Sequence, residues 1–239
     1  MFHKGYENAM SVLNWVFSNF ESPTSFFVAG SSAGSIASPF YAGIIAEQYP
    51  DSRVIQIGDG SGGYRAPEAL PIVNEAWDVQ SILPGWPEYA GATNQNISFA
   101  TYYVVSAERH PDIVFSQYNT ANDETQLQFL ALLGVTGVSL LDLIQANYNE
   151  IRSEVPQFYT YTAGGSMHTI LRFPEFYTYE VSDGRVRDWT ARLAQGETVQ
   201  NVLCTDCSTS PDAVVEADDD DGGCFIKILF HQVTLGLDS

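Results

Sequence analysis

Apolar residues near the start of the chain recur at Tyr6, Met10, Leu13, Phe17 and Phe20, in steps of three and four that place them on one side of a helix. Ser22 and Pro23 close that helix. SFFVA at 25–29 is an unbroken apolar run between turn residues, the pattern of a parallel strand covered on both faces. After the turn GSSAG, the spacing of Ile36, Phe40, Ile44 and Tyr49 predicts a second helix that ends before Pro50. RVIQIGDGSGG at 53–63 then reads as a strand running into a glycine-rich loop. Helix, strand, sharp turn, helix and strand in this order predict parallel α/β units.

Residues 67–97 are rich in proline and glycine and predict an irregular stretch with short helices. The pattern over 98–109 fits helix and strand equally. DIVFSQY at 112–118 reads as a strand and NTANDETQ as a polar loop, and LQFLALLGV as a helix or the start of an insertion. FYTYTAGG at 158–165 predicts a further strand, followed by a glycine loop that carries His168. RDWTARLAQG at 187–196 is a late helix with Gly196 just past its end. From 208 onward, including ADDDDGG at 217–223, the chain reads as a solvated tail. There is no internal repeat.

The length of 239 residues suits one sizeable α/β domain with a core of its own. No apolar run reaches the roughly 18 residues of a membrane-spanning helix, so no membrane span is expected. Asp and Glu number 29 against 10 Lys and Arg, a formal charge of -19, which excludes a nucleic-acid partner that needs cationic patches. The opening MFHKGYENAMSVLNWVF has neither the charged region and apolar block nor the cleavage site of a secretory signal. A cytoplasmic protein, or a chain whose beginning is missing, is the expectation.

In FFVAGSSAGS the glycines of Gly30-Ser31-Ser32-Ala33-Gly34 fall where a strand must turn abruptly into a helix. Such a turn presents the hydroxyl of Ser32 at the strand end, and the N–H of Ala33 at the helix start is placed to hold an oxyanion. The competing reading is that Ser31 or Ser32 merely caps the helix. A nucleophilic serine needs a base. His3 and His231 lie near the chain ends and His110 at a helix-to-strand corner, whereas the loop of His168 leaves a parallel sheet on the same edge as Ser32. Asp123 falls between them, giving the order Ser, Asp, His of α/β-hydrolases. Asp59 is the second choice of acid and is equally suited to fixing its own loop, and Asp123 is equally suited to capping the helix that starts near Glu124.

Cys204, Cys207 and Cys224 are an odd set. With His231 they offer the donors of a zinc site, though without a second CxxC pair. The favoured reading is a disulfide among them, with no metal bound.

The segments HKGYENAMSVLNW, VAGSSAGS, VIQIGDGSGGY, SQYNTANDETQ, YTYTAGGSMHTIL and DWTARLAQGETVQNVLCTDC together resemble the pectin acetylesterase and Notum family, its bacterial members above all. The resemblance covers most of residues 3–207. It implies an α/β-hydrolase-like domain over 1–207, a mostly parallel sheet with flanking helices, and a C-terminal tail over 208–239. It also implies a serine carboxylesterase with Ser32 as nucleophile, Asp123 as acid and His168 as base, needing no cofactor and working in an extracellular or periplasmic setting. GDGSGGY is similar to the family's Asp-Ser-Gly loop, with a glycine inserted between Asp59 and Ser61. Against the family pattern the chain begins after the first strands and a glycine-containing loop that supplies a further oxyanion donor, so an N-terminally shortened sheet with an open edge is expected.

These readings converge on hydrolysis of an acylated carbohydrate or another small ester. A polyuronate and a protein of this charge repel at low salt, so the substrate is a non-polyanion or the cleft is less acidic than the whole. The alternative is a non-catalytic or weakly active binding module of the same fold.

Overall fold

The computed structural model describes residues 4–182, 184–209 and the backbone of 225–231. Its elements in chain order begin with α1 (Gly5–Asn19), β1 (Ser25–Ser31), α2 (Ala33–Gln48) and β2 (Arg53–Asp59). The proline-rich stretch holds the short α3 (Leu70–Ala76) and α4 (Val79–Ile82) and a single 3-10 turn at Pro87–Tyr89. There follow α5 (Phe99–Arg109), β3 (Val114–Thr120), α6 (Glu124–Leu132), α7 (Leu140–Glu154) and β4 (Phe158–Ala163). The chain continues with α8 (Glu175–Thr178), the ribbon strands β5 (Glu180–Val181) and β6 (Gly184–Arg185), α9 (Val186–Ala194), β7 (Val202–Leu203) and β8 (Phe225–His231).

The main sheet runs β7-β4-β3-β2-β1-β8. Its first five strands are parallel and β8 is antiparallel to β1. These are the parallel α/β units the hydropathy pattern predicts, and the sheet is consistent with the α/β-hydrolase-like fold the resemblance implies. Alternate residues of each strand enter opposite cores. Phe26, Val28, Phe115 and Phe158 pack on one face with Leu13, Ile45, Ile144 and Ile151 from α1, α2 and α7. Ile55, Ile57, Tyr118 and Tyr161 pack on the other with Trp189 and Leu193 of α9. Burial on both faces explains why the strands read as continuous apolar runs.

Four segments settle or depart from the sequence reading. Residues 98–109, ambiguous by pattern, are helical because Ser98 and Thr101 form a reciprocal capping box that starts α5. β3 begins and ends two residues later than DIVFSQY, because His110 closes α5 and Pro111 and Asp112 make the corner. The longer omission is α7, whose buried Leu140, Ile144, Tyr148 and Ile151 do carry a helical spacing, behind the cap that Ser139 gives to the N–H of Asp142. β8 comes from the segment read as tail. It pairs with β1 from Ser25 opposite His231 to Ser31 opposite Phe225, so the edge of β1 expected to be open is covered. The acidic run 217–223, His3 and Cys224 lie outside the described residues, as does the side chain of His231.

Because β1 to β4 are parallel, the loops that follow them all leave the sheet on one edge. Asp59 ends β2 at that edge, and Ser32, Asp123 and His168 sit on the loops after β1, β3 and β4.

Candidate active site

β1 passes into α2 at Ser32, whose backbone has φ 56° and ψ -122°. A non-glycine residue held there costs about 1–3 kcal/mol and persists only when its surroundings enforce it. Here they do: the N–H of Ser32 donates to the Asp59 carbonyl at 2.8 Å, and the Ser32 carbonyl accepts from the N–H of Ser35 at 2.9 Å. The turn is also too tight for a side chain at residue 30, where a Cβ would run into the carbonyl of Gly34. That contact is the steric reason for the first glycine of the motif. Neither serine caps α2 with its side chain. The Ser31 hydroxyl instead donates to Asp59 Oδ2 at 2.9 Å. Ala33 is the first residue of α2, so its N–H has no acceptor within the helix and points from the positive end of the helix dipole.

His168 and Asp123 meet directly. His168 Nδ1 lies 2.8 Å from Asp123 Oδ2 and, facing a carboxylate, is the donor. Asp123 is fully buried. Its Oδ1 accepts from the backbone N–H of Gln126 at 3.0 Å, which caps α6, and its Oδ2 accepts from the Gln126 side-chain amide at 3.0 Å. Both sequence readings of Asp123 therefore hold at once: helix cap and partner of the histidine. His168 Nε2 is buried and has no hydrogen-bond partner among the described residues. An imidazole fixed at Nδ1 and open at Nε2 is oriented to accept a proton.

Asp59 joins the serine turn to the histidine loop. Its fully buried carboxylate accepts from Ser31, from the N–H of Ile170 at 3.0 Å and from the N–H of Leu171 at 3.0 Å. Burial pushes this carboxyl up to about 6, while the N–H donors of Leu171 and Ile170, the Ser31 hydroxyl and the nearby His168 act in the opposite direction. Gly60 has φ +80° and passes so close to the histidine loop that a Cβ there would lie 3.4 Å from His168 Cε1 and 3.0 Å from Thr169 Cγ2. Thr169 itself has φ 65°, a strained state for a β-branched residue. The two strained side-chain-bearing residues Ser32 and Thr169 thus flank Asp59 from two loops.

Tyr64 completes the surround. Its phenol lies beside Ser32; burial raises the phenol's pKa and the charge of Asp123 raises it further. Its ring stands edge-on to Phe129 of α6 at 6.2 Å. The preceding Gly62 and Gly63 N–H groups donate to the side chains of Asn119 and Gln126 at 2.8 Å each. Those two N–H groups are therefore committed to the loop's own support.

Sequence reasoning singled out Ser32, Ala33, Asp123 and His168, and the structure puts all four on one edge of the sheet. It missed Gln126, Tyr64 and Thr169, which each meet a residue of another loop: Gly63, Ser32 and Gly60. The expected role of Asp59 in fixing a loop is observed, although the loop it fixes is that of His168. His110 ends α5 and lies 3.0 Å from Glu47 through Nε2, away from this edge. Cys204 and Cys207 form a disulfide, which removes two donors from the zinc reading. No group of three or more potential metal ligands occurs among the described residues. A cavity of about 450 Å³ between the β5–β6 ribbon, α9 and β7 is lined by Arg185, Trp189 and Arg192 and contains none of the four candidates. No helix among the described residues is long and apolar enough to cross a membrane. Scanned against protein-family models the chain matches none, and a search of curated proteins returns no match.

Proposed function

We propose that the protein is a serine carboxylic ester hydrolase of the pectin acetylesterase and Notum type, acting on an acylated carbohydrate or another small ester. The observation that carries this reading is the bond from His168 to Asp123, which leaves Nε2 open on the sheet edge where the strained turn presents Ser32.

In the reaction, Ser32 Oγ attacks the acyl carbonyl carbon while His168 Nε2 takes its proton. The carbonyl electron pair moves to oxygen, and the N–H of Ala33 stabilises that oxyanion. Collapse breaks the ester bond, and the imidazolium returns the proton to the departing alcohol. Water then repeats the sequence on the acyl-enzyme, releasing the acid and restoring Ser32. The buried Asp123 stabilises the imidazolium throughout. No metal or organic cofactor enters these steps. The Cys204–Cys207 disulfide fits an extracellular or periplasmic setting, where such bonds persist.

Labelling with a fluorophosphonate probe tests the assignment. The wild-type protein is expected to react and Ser32→Ala to remain unlabelled; equal labelling of the variant would sink the nucleophile. Turnover of p-nitrophenyl acetate that disappears in His168→Ala eliminates the alternative of a non-catalytic binding module.

A further inference from the structure

The mechanism leaves one buried carboxylate unused. Asp59 touches neither the open face of His168 nor, through its side chain, Ser32, yet it holds the residues beside both. Its two oxygens bind the hydroxyl of Ser31, one residue before the nucleophile, and the consecutive N–H groups of Ile170 and Leu171, two and three residues after the base. Between those N–H groups and His168 lies Thr169, in a left-handed conformation that a β-branched residue adopts only under constraint. Its Cγ2 and the His168 ring are packed against Gly60, the residue following Asp59. The carbonyl of the same Asp59 receives the N–H of Ser32.

We infer that Asp59 is a positioning residue for the reaction: its ionised carboxylate holds the strained Thr169 turn and so sets the place of His168 relative to Ser32. The inference rests on the esterase reading of Ser32, Asp123 and His168. Two consecutive amides that converge on one carboxylate define its position more tightly than a single bond would, because charge-assisted bonds are short and directional. Loss of the negative charge leaves one oxygen as a donor, which faces N–H groups it cannot serve. The protonated state therefore releases the turn, and catalysis falls on the acid side through Asp59. The titratable groups facing Asp59 are His168 and Tyr118. Burial keeps the Tyr118 phenol well above the range concerned, and the His168→Ala variant removes the other group.

The test combines amide NMR with kinetics. In the wild-type protein and in His168→Ala, the N–H resonances of Ile170 and Leu171 are expected to titrate together with a midpoint near 6, the value to which burial raises Asp59. In Asp59→Asn this shared titration is expected to vanish. With p-nitrophenyl acetate, kcat of Asp59→Asn is expected to fall roughly 10- to 100-fold with KM within about twofold, since a displaced base impairs the chemical step more than binding. Amides that titrate unchanged in Asp59→Asn, or wild-type kcat in that variant, overturn the inference. If Asp59→Asn does not fold, the titration in His168→Ala decides: a shared midpoint supports the clamp and its absence overturns it. A protein that shows no turnover and no Ser32 labelling fails the esterase reading, and the amide titration still decides whether Asp59 holds the loop.

Discussion

His168 and Asp123, 45 residues apart in the chain, meet at 2.8 Å through Nδ1 and Oδ2, on a carboxylate that is wholly withdrawn from solvent. The same carboxylate caps α6 and accepts the Gln126 side chain, so the orientation of the histidine is tied to the start of a helix.

Substitutions at Asp123 separate these duties. Asn is a good helix cap but carries no charge to stabilise an imidazolium, whereas Ala can do neither. Asp123→Asn is expected to lower kcat by about 10²- to 10⁴-fold with little loss of stability. Asp123→Ala is expected to lose the same activity and a further ~1 kcal/mol of unfolding free energy with the cap. Ester hydrolysis and urea unfolding of the two variants measure the split.

The Cys204–Cys207 loop braces the loops of Asp123 and His168. The Cys207 carbonyl accepts from the N–H of Gly165 at 3.1 Å and from the side chain of Asn122 at 2.8 Å, next to Asp123. Gly164 passes so close to the carbonyls of Asp206 and Thr209 that no side chain fits there. Closing so short a loop contributes on the order of 2 kcal/mol. Reduction, or Cys207→Ser, should lower stability by about that amount and kcat several-fold. An unchanged kcat after complete reduction, read by thiol titration, would show that the brace does not reach the site.

Asp59 makes stability and activity diverge with pH. Its folded-state pKa is raised to about 6, so between that value and the ordinary carboxylate range the native state binds a proton that the unfolded chain does not. The group's contribution to stability therefore rises as pH falls through 6 and is lost as pH rises, the reverse of a salt-bridged carboxylate. Urea unfolding of the wild type relative to Asp59→Asn is expected to show this slope between about pH 4 and 6 while kcat declines over the same interval.

Tyr64 offers a test of the immediate surroundings of Ser32. Phe keeps the edge-on contact with Phe129 and removes only the hydroxyl beside Ser32. Tyr64→Phe is expected to reduce the rate of fluorophosphonate labelling about 3- to 10-fold, the effect of losing one neutral polar group beside the serine. Thermal unfolding should be almost unaffected, because the ring remains packed.

Local order was legible in the chain wherever neighbours in sequence are neighbours in space. SFFVA is apolar throughout because β1 is covered on both faces, and Gly30 and Gly34 bracket Ser32 because the strand-to-helix turn has no room beside residue 30. α7 escaped notice although its spacing was readable, and α5 was undecided because its aromatic and β-branched residues suit a strand until the Ser98 cap is counted.

By itself, the sequence determined the alternation of strands and helices, the sharp turn at Ser32 and the order of serine, acid and base along the chain. These follow from steric and hydropathic rules acting over a few residues. Only the tertiary structure decided that Asp123 reaches His168, that Gln126 accepts from Gly63, that Asp59 binds amides 111 and 112 residues away, and that β8 returns to cover β1. Those contacts depend on where separate strands of one sheet end. A hydrogen bond between loops leaves no periodic trace in either segment, so it becomes visible when the sheet brings their ends together.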